Sequence, residues 1–83
     1  MITLTGMLWF DGDPNRSLVE KINTAMEYHV NKYGRRMPIC LININDAQGF
    51  DLETAQKECK VVIRAMRIVT PGHLLLCEEN DLS

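Results

Sequence analysis

Apolar residues occupy Ile2, Leu4, Leu8 and Phe10, with Thr3 and Thr5 interleaved before Met7 and Trp9 fill the alternate positions. That alternation predicts a strand from Ile2 to Phe10 whose second half is apolar on both faces and expects cover on both. Gly12 and Pro14 in the segment Asp11-Gly12-Asp13-Pro14 end it. Ser17-Leu18-Val19-Glu20 then matches a capping box, with the Ser17 hydroxyl accepting from the Glu20 amide and the Glu20 side chain reaching back. A helix is expected from Leu18, with its apolar stripe at Leu18, Ile22, Ala25, Met26, His29, Val30 and Tyr33. Gly34 supplies a left-handed stop, and Arg35 and Arg36 follow where cations suit the helix dipole.

The next apolar run, Met37 to Ile44, has large residues on both faces and predicts a strand buried on both sides. Strand, helix and strand in this order make a βαβ unit with parallel strands. Asn45 to Asp51 is turn-like, and Asp51 can cap a short helix beginning at Leu52. Leu52, Ala55, Cys59, Val62, Ile63 and Met66 would also make a helical stripe, whereas the β-branched residues after Cys59 favour a strand. The preferred reading is a short helix to about Lys57, then a strand from Lys60 to about Met66. Thr70-Pro71-Gly72-His73 is a turn, and the segment from His73 reads as a closing strand that pairs back as a hairpin.

The expected fold is an α/β (α+β) domain with a βαβ opening, a short helix and a β-hairpin. About four strands would form the sheet, with one long helix across it. Residues 1–83 fit a single domain, with 79–83 as a frayed polar tail. One long helix cannot cover both faces of such a sheet, so either the short helix or a second copy of the chain should cover the other. A homodimer is the expected assembly.

Composition narrows the options. The chain is 46% hydrophobic and 24% charged, the balance of a folding globular domain. A net charge of -2 and a pI near 5.6 offer no general attraction to phosphate backbones or anionic membranes. Without a basic start and long apolar run at the N-terminus, a soluble cytoplasmic protein is expected. Cys40, Cys59 and Cys77 lack C-x-x-C spacing and fit buried, reduced thiols, so neither a disulfide framework nor a cofactor is expected.

If the first two strands run parallel, Asp11 and Asp13 come to the same sheet edge as Asn45 and Asp46. Oxygen atoms converging there would suit Mg²⁺ or Ca²⁺, and a small metal- or phosphate-handling enzyme is one functional option. Turn chemistry explains the same residues: Asx-turns at Asp11 and Asp13, and ordinary turn positions at Asn45 and Asp46. The calcium-loop template fails, since it would place Arg16 at the required glycine and Ile22 at the bidentate glutamate. Leu8 to Asn15 resembles the opening motif of the haloacid dehalogenase-like phosphatases, an apolar strand followed by Asp-x-Asp, but the chain is too short for that family's other motifs. No catalytic nucleophile with a base is evident, and His29 reads as a core histidine.

Lys32, Arg35, Arg36, Arg64 and Arg67 would form one basic patch if the closing hairpin lay near the helix end, which gives a weak nucleic-acid binder as another option. The acidic pI and the lack of RNP-like or GXXG signatures count against it. Three stretches, LWFDGDPNRSLVEKI from Leu8, YHVNKYGRRMPICLIN from Tyr28 and IRAMRIVTPGHLLL from Ile63, resemble short bacterial and mobile-element open reading frames. These share a Trp-aromatic-Asp-x-Asp-Pro opening and a Lys-Tyr-Gly-Arg helix end. The resemblance implies a complete small bacterial domain and brings no activity with it. The leading expectation is a non-enzymatic module acting through self-association or a protein partner.

Overall fold

The computed structural model describes residues 6–78. Its elements run β1 (Met7–Phe10), α1 (Leu18–Tyr33), β2 (Ile39–Asn43), α2 (Ile44–Ala47), α3 (Leu52–Cys59), β3 (Val62–Met66) and β4 (His73–Cys77). The expected strand at 2–5 and the frayed tail at 79–83 lie outside the described residues.

Helix α1 has the bounds its caps dictate. The Ser17 hydroxyl accepts from the Glu20 amide at 3.1 Å, and Gly34 at φ 78° donates to the Val30 carbonyl at 2.8 Å. Leu18, Ile22, Ala25, Met26 and His29 form its buried stripe. His29 sits there because its Nδ1 lies 2.6 Å from the Arg35 carbonyl oxygen, so the ring satisfies the chain just beyond the helix. Asp51 caps α3 as its sequence position predicts, accepting from the Thr54 amide at 3.2 Å.

The four strands form one sheet in the order β1-β4-β2-β3. β4 is antiparallel to both β1 and β2, so β1 and β2 run the same way without touching: the βαβ unit is split by β4. β2 and β3 pair parallel. The expected β3–β4 hairpin does not form. His73–Cys77 is buried at four of its five positions and needs neighbours on both sides, so it takes an interior place. β3 buries only alternate side chains, leaves Val62 and Arg64 exposed, and takes the edge.

Helices α1 and α3 share one face, packing Leu18, Ile22, Met26, Ala55 and Cys59 onto Cys40, Ile42, Ile63, Leu74 and Leu76. The second face, expected to be covered by the short helix or by another copy, is covered at its centre by the β3–β4 connection. Val69 packs there on Ile39, Leu41, Leu75 and Cys77. Asn43 fastens that connection, its amide donating to the Val69 carbonyl at 2.7 Å while its side-chain oxygen accepts from the Asn45 amide at 2.8 Å. The second bond caps α2, a helical turn where the sequence reads only as a loop. The periphery of the second face stays open: Leu8 is 59%, Phe10 65%, Val62 43% and Ile68 61% exposed. The double cover expected for β1 is therefore not supplied by the described residues. All three cysteines are buried, and among the described residues no helix is long and apolar enough to cross a membrane.

Candidate functional site

The split βαβ places the ends of β1 and β2 on either side of the start of β4. Asp11, Arg16, Lys21, Asn45, Asp46 and His73 line one cleft there, of about 340 Å³. The structure thus brings three of the four expected residues together. Asp13 is not among the lining residues; it is exposed in the loop, where its carboxylate accepts from the Asn15 amide at 2.9 Å.

The carboxylates in this cleft already have work. Asp11 Oδ1 accepts from the Asp13 amide at 3.1 Å, the predicted Asx-turn, and its Oδ2 meets Arg16 Nη1 at 2.8 Å. Arg16 in turn donates from Nη2 to the Thr24 hydroxyl and, at 3.3 Å, to the Glu20 carbonyl, so it ties the β1–α1 loop to the side of α1. Asp46 Oδ2 accepts from the Gly72 amide at 2.8 Å, and the Asp11 amide donates to the Gly72 carbonyl at 3.0 Å. One peptide turn before β4 is therefore clamped from both strand ends. Among the described residues, no three of His, Cys, Asp or Glu group so as to hold a metal ion. Arg16 escapes sequence reading because its role depends on a turn that brings it back over α1. Its only signal is a cation one residue before the helix cap.

The five basic residues do not make one surface. Arg35 pairs with Glu78, and Arg36 Nη2 donates to the Cys59 carbonyl at 2.6 Å, capping the end of α3. Lys32 lies over the rings of Tyr28 and Tyr33 at 5.7 and 5.4 Å, and those two phenols raise its pKa. Arg64 sits on β3 opposite Leu41, on the face away from the helices, and Arg67 follows the far end of that strand.

The feature that composition did not single out is at the other side of β1. Phe10 is largely exposed, yet one side of its ring is packed. It lies 4.9 Å from the His73 ring and against Gly12 and Gly72, where an added Cβ would come within 3.0 and 3.1 Å of it. Leu8, on the same side of the strand, borders a groove shared with Ile68, Val69 and Leu75. Trp9 points the other way, onto Tyr28 at 5.0 Å. Its indole nitrogen is buried with no hydrogen-bond partner among the described residues.

Comparison of the chain with protein-family models, with curated proteins and with solved structures finds no match.

Proposed function

We propose that this protein is a non-enzymatic interaction module that associates with itself through β1 and the open part of the second sheet face. The observation that carries the reading is the pre-positioned Phe10 ring, exposed at 65% beside Leu8 at 59%. An aromatic already packed against its own chain loses less side-chain freedom when a partner covers it, and aromatic residues are enriched at the cores of interfaces. Three buried cysteines without C-x-x-C spacing suit a reducing bacterial cytoplasm. Sedimentation of the full chain at micromolar concentrations should show a dimer that Phe10→Ser weakens by at least about tenfold. A chain that stays monomeric up to millimolar concentration overturns the proposal.

A second reading rests on the cleft, whose volume of about 340 Å³ is large enough for a small ligand. Lys21 and His73 are the groups that would meet a phosphate there. Inorganic phosphate and Mg²⁺, each added at millimolar concentration, would then shift the resonances of Lys21, Asn45, Asp46 and His73. Unchanged resonances reject that reading.

A further inference from the structure

The two edges of this sheet differ. β3 is an edge that the chain blunts itself: the Gln56 side-chain oxygen accepts from the outward Ile63 amide at 2.9 Å, and Arg64 adds a charge. β1 has neither device. Its residues, Met-Leu-Trp-Phe, include no charge and no proline, and among the described residues no strand lies beyond it. A bare edge of this kind is a template for another strand.

The phase of that edge follows from the pairing. In antiparallel pairs, residues alternate between those whose N–H and C=O face the neighbour and those whose groups face away. The Asp11 amide donates to the Gly72 carbonyl, in line with the register that sets Trp9 opposite Leu74 and Met7 opposite Leu76. Met7, Trp9 and Asp11 therefore turn their backbone groups toward β4. Leu8 and Phe10 turn theirs outward, and these are the two residues whose side chains are exposed.

We infer that two copies of the chain pair antiparallel through β1, with Trp9 beside its counterpart on the twofold axis, to make one continuous sheet of eight strands from two four-stranded halves. This rests on the self-association proposed above and specifies its geometry. Leu8 of each copy then faces Phe10 of the other as a hydrogen-bonded pair, so all the outward backbone groups of β1's Leu8 and Phe10 find partners. The same register keeps the faces matched, with both copies' Leu8 and Phe10 side chains in one apolar cluster. A twofold joint uses the same patch on both sides, and an uncharged β1 meets itself without like-charge repulsion.

The test uses wild-type chains, half of them labelled with ¹³C and ¹⁵N, mixed in equal amounts and examined by isotope-filtered NOE spectroscopy. Pairing in this register gives inter-chain contacts between the two Trp9 α-protons and between the Leu8 amide and Phe10. Dimers whose inter-chain contacts involve side chains but no β1 backbone protons overturn the edge pairing and leave the self-association reading standing. Absence of dimers at the concentrations of the experiment overturns both. As a check on register, mixed Leu8→Cys and Phe10→Cys chains should cross-link on oxidation, since hydrogen-bonded partners have Cα atoms about 5.5 Å apart. Leu8→Cys alone should not, because like positions sit diagonally at roughly 7–8 Å. Efficient cross-linking of that single variant overturns the register.

Discussion

The Gln56 side chain accepts the Ile63 amide proton at 2.9 Å, so the helix preceding β3 occupies one outward amide on the edge of that strand. A side-chain acceptor from the preceding helix thereby replaces the ladder partner this edge amide lacks. Gln56→Ala leaves that amide to solvent, and we expect a loss of about 1 kcal/mol in denaturant unfolding. With both edges then open, sedimentation should show species larger than a dimer. Gln56→Glu, which keeps an acceptor oxygen, should restore the wild-type size distribution.

Gly72 joins the strand-end clamp to the exposed aromatic. Its amide and carbonyl are held by Asp46 and Asp11, its φ is 81°, and its α-carbon lies against the Phe10 ring. Gly72→Ala incurs both the left-handed backbone penalty and a contact at 3.1 Å. We expect a loss of roughly 1–2 kcal/mol by chemical denaturation. Displacing Phe10 should also weaken self-association beyond the effect of Gly34→Ala, whose left-handed glycine has nothing within 4 Å. Equal association constants for the two variants would separate Phe10 from the turn.

Cys40 lies at full burial in the middle strand β2, and desolvation, with smaller contributions from Cys59 and Cys77, pushes its thiol up to about 12. Burial raises the Cys59 thiol as well. Only thiolate reacts with alkylating reagents, so the native chain should resist iodoacetamide at pH 8. All three cysteines should be modified at one common rate set by unfolding, and that rate should rise in destabilised variants such as Gly72→Ala. Prompt modification of Cys40 alone, read by mass spectrometry, would show that β2 opens locally.

The sequence was most legible where one local cause decides the structure. Ser17 and Gly34 bound α1, and unbroken apolar residues made β2 interior. Asp51 likewise set the start of α3. The site residues Asp11, Asn45 and Asp46 were foreseeable from the parallel direction of β1 and β2, which survives although β4 lies between them. The partner of β4 was not foreseeable from the short β3–β4 connection, because proximity in sequence favours a hairpin while burial on both faces favours the interior. Leu74, Leu75 and Leu76 in succession carried that second signal. The roles of Arg16, Asn43 and Gln56 depend on contacts reached only after the chain has turned, and residue type alone does not announce them.

Asp51 offers a pH-dependent test of how α3 is held. Its carboxylate accepts from the Thr54 hydroxyl at 2.7 Å and the Thr54 amide at 3.2 Å. Those bonds, the hydroxyl's first and the amide's second, lower its pKa below the ordinary aspartate value. A carboxyl whose folded-state pKa is depressed adds stability that is present above the unfolded value, near 4, and is lost as pH falls through the folded value. Asp51→Asn keeps an oxygen for the Thr54 amide but removes the charge that favours a helix N-terminus. Thermal unfolding at pH 7 should therefore find the wild type more stable than Asp51→Asn. The difference between the two melting temperatures should shrink from about pH 4 downward and vanish once Asp51 is protonated in both folded and unfolded chains. Because the other carboxyls are common to both proteins, that difference isolates Asp51. A gap that stays constant down to pH 2 would place the effect of the substitution in packing and not in the charge.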